Sequence, residues 1–191
     1  MKVVAFNGSP RKNGNTHILL ETVLAELEKE GIETELVDLG TKPLNGCIAC
    51  AQCFKNKNKR CVLTHDPVNE YIEKMCEADG IIFGSPTYVS DVSSNLKALM
   101  DRAGFVAKAN KDMLKRKVGA GVVAVRRCGA AHVFSSINYF FLISEMIVPG
   151  SSYWNMAIGR DPGDVKNDAE GMQTMVDLGK NMAWLLKKIN D

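Results

Sequence analysis

Two stretches of this chain carry residue types spaced for chemistry. The first is Asn7-Gly8-Ser9-Pro10-Arg11-Lys12-Asn13-Gly14-Asn15-Thr16. It offers hydroxyls, side-chain amides, small residues and one fork-shaped guanidinium, a donor set able to wrap a phosphate without a metal. A helix starting behind it would aim its unpaired N–H groups and positive dipole end at the same anion. The spacing is not that of a Walker loop, since the helix start reads Gly14-Asn15-Thr16, and Gly8 and Gly14 do not form G-x-G-x-x-G. A terminal phosphomonoester suits the loop better, and FMN is the common cofactor that ends in one. The same residues would also serve as a plain polar turn capped at Asn15 or Thr16.

The second stretch holds Cys47, Cys50, Cys53 and Cys61, a C-x2-C-x2-C-x7-C spacing. Three thiolates two residues apart wrap one corner of a cubane, and the fourth returns from further along. Bacterial ferredoxins share the first spacings, but there proline follows the fourth cysteine, which serves another cluster. Here Val62 follows Cys61 and no second set exists. Structural zinc sites pair two separated knuckles instead. An iron–sulfur cluster is the favoured reading, with zinc, free redox thiols and an empty ancestral site as alternatives. Six cysteines without a recognisable secretory signal favour metal or redox chemistry over disulfides. Cys76 and Cys128 stand apart as small hydrophobes, although Cys128 falls in a loop that could meet a flavin.

Between the third and fourth cysteines runs Lys55-Asn56-Lys57-Asn58-Lys59-Arg60. It reads either as a solvated loop tip or as a basic patch that steers an acidic electron carrier. His17, His65 and His132 are isolated and form no ligand or triad pattern. Tyr88 and Trp154 could stack on a flavin ring or simply pack in a core or interface. Met172, Met175 and Met182 have the spacing of a helix core face.

These residues need a scaffold. At 191 residues, 46% hydrophobic and 24% charged, the chain is expected to form one globular domain spanning 1–191. A net charge of +2 implies neither nucleic acid nor an anionic membrane as partner. No targeting or membrane-spanning segment is recognisable, so a cytoplasmic location is expected. Lys2–Phe6 reads as a buried strand, followed by a helix with Leu20, Val23, Leu24 and Leu27 on one face and Gly31 as its stop. Thr34–Leu39 alternates as a second strand. Residues 40–66 have no periodicity and read as a long functional loop needing something to hold it. A helix opens at Asp66-Pro67. Gly80–Gly84 is a third strand, Ser94–Gly104 a helix, Lys117–Val125 a fourth strand, and 132–145 a helix. Met146–Pro149 is expected as a fifth strand and Glu170–Ile189 as a closing helix.

Continuous apolar strands alternating with helices predict an α/β doubly wound, five-stranded parallel sheet with helices on both faces. Ligands then sit beyond the carboxyl ends of the strands. Three loops converge there: 7–16, Ser85–Ser90 and Arg126–Ala131.

Gly8-Ser9-Pro10-Arg11, Gly14-Asn15-Thr16 and Gly84-Ser85-Pro86-Thr87-Tyr88 resemble the FMN loops of the NADPH-dependent FMN reductase group of flavodoxin-like proteins. With the four cysteines, the resemblance narrows to the iron-sulfur flavoprotein family. It reaches Gly150–Trp154 and Asp168–Gly171. It implies a flavodoxin-like fold, FMN, a 4Fe-4S cluster, and a homodimer or homotetramer with sites near the subunit interface. It also implies electron exchange with a ferredoxin-like carrier, and a small-molecule acceptor such as a quinone, dioxygen or peroxide. Carried over by position, Ser9, Arg11, Asn13, Asn15 and Thr16 would hold the phosphate. Pro86, Thr87, Tyr88 and Val89 would line the ribityl chain and ring, with Arg126 and Gly129 in the third loop. That loop departs from the pattern: Cys128-Gly129-Ala130 stands where relatives often have two glycines.

The function expected is an FMN-dependent oxidoreductase passing electrons between the cluster and FMN. A cluster passes electrons singly, whereas FMN holds one or two. Arg126 or Arg127 could place positive charge near the ring and favour its reduced, anionic form. The alternatives are an NAD(P)H-dependent FMN or quinone reductase whose cysteines hold nothing catalytic, and a redox-responsive binding protein.

Overall fold

A computed structural model describes residues 1–190. Five parallel strands lie in the order β2-β1-β3-β4-β5: β1 (Lys2–Asn7), β2 (Glu33–Asp38), β3 (Gly80–Pro86), β4 (Val118–Val125) and β5 (Met156–Ile158). Six α-helices connect them: α1 (Asn15–Lys29), α2 (Gln52–Asn56), α3 (Val68–Glu77), α4 (Ser94–Ala109), α5 (Ala130–Ile143) and α6 (Ala169–Asn190). This is the flavodoxin-like doubly wound architecture. No helix among the described residues is long and apolar enough to cross a membrane.

The strands are apolar on both sides because both faces are covered. Val4 and Phe6 of β1 point into a core with Ile81, Phe83, Leu96, Leu99 and Phe141, beneath α3, α4 and α5. Val3 and Ala5, one residue out of phase, join Leu20, Val23, Leu27, Met175 and Met182 beneath α1 and α6. The period of two along a strand thus divides one run between two cores. The methionine series is core, as its spacing predicts. Gly31, at φ +76°, ends α1 in a conformation that glycine reaches without strain.

The fifth strand lies elsewhere than expected. Ile147 makes only an isolated parallel bridge to Val118, with Gly119 N–H donating to its carbonyl at 2.9 Å. Pro149 has no N–H to continue the ladder, and the chain leaves the sheet until Val123 N–H meets the Asn155 carbonyl at 2.9 Å. The ladder resumes with Met156 beside Val123. The edge strand is therefore interrupted, and its true end delivers a further loop, 159–168, to the carboxyl edge. Helix α4 also runs five residues past its expected end, and the cysteine loop contains the short α2.

Candidate functional site

Strand order reverses between β1 and β3, the position where an open α/β sheet leaves a crevice at its carboxyl ends. The loop after β1 is shaped by its own polar groups. Ser9 N–H donates to Asn7 Oδ1 at 3.0 Å, and Arg11 N–H to Ser9 Oγ at 3.2 Å. Gly8 N–H donates to the Gly84 carbonyl at 2.8 Å, an approach only glycine permits. A Cβ there would lie 2.9 Å from that carbonyl oxygen and 2.7 Å from Ser93 Oγ. Gly14 precedes α1, and no side chain caps the helix, so its first-turn N–H groups remain donors for an anion.

Around this loop lies a cavity of about 300 Å³, bounded by Ser9, Arg11, Asn15, Thr16, Pro86, Thr87, Tyr88, Ala124, Arg126, Gly159 and Arg160. That volume is within the range of small-ligand sites. Three arginines line it together with Ser9, Thr16, Thr87 and the first residues of α1, a residue set that suits a phosphomonoester. Of the residues expected at the flavin, Asn13, Val89 and Gly129 stand outside this cavity. Val89 is fully exposed at the tip of a two-residue turn in which Tyr88 and Asp91 exchange backbone hydrogen bonds at 3.0 Å. Gly129, at φ +91°, packs against Ser90. Trp154 packs in tilted contacts with Phe134 and Tyr153 instead of lining the cavity.

Three cavity residues escaped the sequence reading: Ala124, which reads only as part of the fourth strand, and two from a loop after β5. Gly159 and Arg160 belong to Gly159-Arg160-Asp161-Pro162-Gly163, a polar loop that goes unnoticed when the fifth strand is placed too early. Arg11 Nη1 donates to the Arg160 carbonyl at 3.3 Å, and Gly163 N–H donates to Asn15 Oδ1 at 2.8 Å. The Asn15 side chain thus ties the first loop to the last.

Cys47, Cys50, Cys53 and Cys61 line a second, smaller cavity of about 90 Å³ with Ile48, Phe54, Val62, Leu63, Phe105, Val106 and Arg102. All four are free thiols, and burial pushes the Cys53 thiol up. Ala49 and Ala51 adopt left-handed backbone at φ +52° and +55°, which costs a residue with a Cβ about 1–2 kcal/mol each. Left-handed residues of this kind occur in the concave N–H nests that receive phosphates and iron–sulfur groups. No three cysteine, histidine or acidic side chains among the described residues converge tightly enough to hold one metal ion. Four thiols around an apolar cavity do fit a larger polynuclear group. Cys76 lies apart, half-buried, with its Sγ 3.9 Å from Met113 Sδ. Cys128 is exposed.

A family model described as NADPH-dependent FMN reductase matches residues 1–161. The chain is 43% identical to an iron-sulfur flavoprotein of Methanocaldococcus jannaschii, over 99% of each chain. It is 34% identical to an iron-sulfur flavoprotein of Methanosarcina thermophila, over 99% of this chain and 97% of that one. A solved flavodoxin from the domain Archaea shares the fold with a TM-score of 0.63 at 17% identity, covering 98% of this chain and 99% of that chain.

Proposed function

The chain belongs to the NADPH-dependent FMN reductase family, among its iron-sulfur flavoproteins, and from that premise we propose that it passes electrons between a 4Fe-4S cluster and FMN. It is a flavin-dependent oxidoreductase. FMN supplies a centre for one or two electrons, and a cluster supplies a one-electron centre.

In this reading Ser9, Arg11, Thr16 and the first-turn N–H groups of α1 hold the phosphate. Thr87 and Tyr88 flank the ribityl chain and ring, and Arg126 brings positive charge toward the ring. Asn13, Val89 and Gly129 shape the surrounding turns. Cys47, Cys50, Cys53 and Cys61 ligate the cluster. The exposed run Lys55–Arg60 receives an acidic, ferredoxin-like carrier in the cytoplasm, and a small acceptor such as a quinone, dioxygen or peroxide takes the electrons onward. Phe54, Phe105, Tyr139 and Ile143 border an open groove of about 630 Å³ that adjoins the cysteine cavity. All four are more than two-fifths exposed. An apolar patch of this kind suits the subunit contact of a homodimer or homotetramer.

The observation that carries the proposal is the gathering of four thiols around one cavity, on a backbone with two left-handed residues, in a chain whose loop after β1 borders a second cavity beside a helix start. A second reading, an NAD(P)H-dependent reductase without a catalytic cluster, draws on the description of the family model. One anaerobic preparation, assayed for flavin, iron and acid-labile sulfide per chain, tests both. About four irons, four sulfides and one flavin support the proposal. Flavin with steady NAD(P)H oxidation and no iron supports the second reading, and zinc ends the electron-transfer account.

A further inference from the structure

Arg102 is the largest fully buried side chain of the described residues. A guanidinium without partners would be very costly in that position. All its bonds lead to one place. Nη1 donates to Asp66 Oδ1 and Oδ2 at 2.8 and 2.6 Å and to the Asn45 carbonyl at 3.2 Å. Nη2 donates to the Leu63 carbonyl at 2.8 Å, and Nε points at Cys61 Sγ, 3.3 Å away. A residue rooted in α4 thereby grips both ends of the cysteine loop and its last thiol.

Asn69, 5% exposed on α3, completes the grip. Its Oδ1 accepts from Cys61 N–H at 2.8 Å, and its Nδ2 donates to the carbonyls of Cys61 and Leu63 at 3.0 and 3.1 Å. Cys61 is the thiol furthest in sequence from the other three, so closing the loop on it carries the largest entropy cost. Two buried side chains from core helices meet that cost before any iron arrives.

Resting on the cluster reading above, we propose that Arg102 is a positioning residue of the cluster site, holding the Cys61 sulfur in place and tuning the cluster through an N–H···S hydrogen bond. The reduction potential of an iron–sulfur group follows the hydrogen bonds and charge at its sulfurs. A cationic donor stabilises the reduced, more negative state, so it raises the potential. Asp66 keeps the buried charge balanced, so the directed Nε–H bond, more than net charge, distinguishes Arg102 from a lysine.

The test compares wild type with Arg102→Lys, prepared anaerobically, by flavin content, iron and sulfide content, cluster potential and the rate of iron loss to a chelator. Arg102→Lys is expected to keep its flavin, to show a more negative cluster potential and to release iron at least about tenfold faster, the usual scale for an outer-sphere partner. An unchanged potential and release rate overturns the proposal. Should Arg102→Lys fail to fold, pulsed electron paramagnetic resonance of the reduced wild-type cluster in protein labelled with 15N-arginine decides, because Arg102 Nε is the arginine nitrogen placed 3.3 Å from Cys61 Sγ. A 15N coupling to the cluster supports the N–H···S bond, and its absence overturns it. Wild type that binds flavin but no iron removes the cluster reading itself, whereas iron with a flat potential removes only the role of Arg102.

Discussion

The side-chain oxygen of Asn15 accepts a hydrogen bond from the backbone N–H of Gly163 at 2.8 Å, joining the first turn of α1 to the loop that follows β5. The two residues are 148 apart in sequence. This bond, with that from Arg11 to the Arg160 carbonyl, brings Arg160 to the side of the cavity bordered by the loop after β1. Asn15→Ala is expected to cost about 1 kcal/mol, the usual net worth of one such bond, and to weaken FMN binding by up to about tenfold. Flavin titration reads the affinity, and faster exchange of the Gly163 amide shows that the side chain serves the loop. Weaker FMN binding with unchanged Gly163 exchange would place that side chain on the phosphate instead.

Val89 occupies left-handed backbone at φ +49°, next to Ser90 at +61°. A β-branched residue there is an outlier, and its side chain is fully exposed. Strain of this kind concentrates at ligand clamps. Asparagine tolerates both positions of such a turn. Val89→Asn should therefore stabilise the flavin-free protein by about 1 kcal/mol, seen as a higher thermal midpoint. If Val89 packs on the ring, the same variant binds FMN more weakly; unchanged affinity would restrict it to a turn role.

Periodicity made the first four strands and most helices legible, because continuous burial leaves an unbroken apolar run. The fifth strand was not legible. It has three residues on a sheet edge and is separated from the isolated bridge at Ile147 by residues 148–155, Pro149 and Gly150 among them, so the more apolar Met146–Pro149 draws the assignment. Gly159 and Arg160 were lost with it. The polar loop after β1 and the cysteine spacing are short-range patterns visible in the sequence, whereas the partners that hold them come from distant elements. Arg102 did leave a trace: it lies at helical spacing between Leu99 and Val106, on the buried face of α4. A charge on an apolar stripe signals a buried ion pair, although only the fold reveals Asp66 as its partner.

Burial alone would raise the Asp66 carboxyl. The hydrogen bond from Arg102, joined by the N–H groups of Asn45 and Val68, outweighs it and holds the group below its ordinary range. Such a group stabilises the folded loop at any pH above its unfolded value and loses that contribution as pH falls through the folded one. Cluster-free protein should thus keep the 45–66 loop protected from protease down to about pH 4 and lose protection below that. Asp66→Asn should be more susceptible to cleavage already at pH 7, with a flatter acid profile. Identical profiles for the two proteins would show that the ion pair does not hold the loop.

Lys55, Lys57, Lys59 and Arg60 are all exposed, and of these Arg60 approaches a carboxylate, Glu73 at 3.9 Å. The segment flanks the cysteine cavity and is pinned just past the end of α4 through Lys59 N–H, which donates to Asn110 Oδ1 at 3.0 Å. Its charge therefore sits at a fixed place beside the proposed cluster and does not sweep through solvent. Charges arranged this way raise association rates by about 10–10³-fold at low salt. The effect fades as the screening length drops from about 30 Å at 0.01 M to about 10 Å at 0.1 M. Reduction by an acidic ferredoxin should then slow at least about tenfold across that range. The triple variant Lys55→Glu, Lys57→Glu, Lys59→Glu should be slow at every salt concentration, while its reduction by a small neutral reductant stays at the wild-type rate. A wild-type rate independent of salt would make the run an ordinary solvated loop tip, and the electron carrier would have to dock elsewhere.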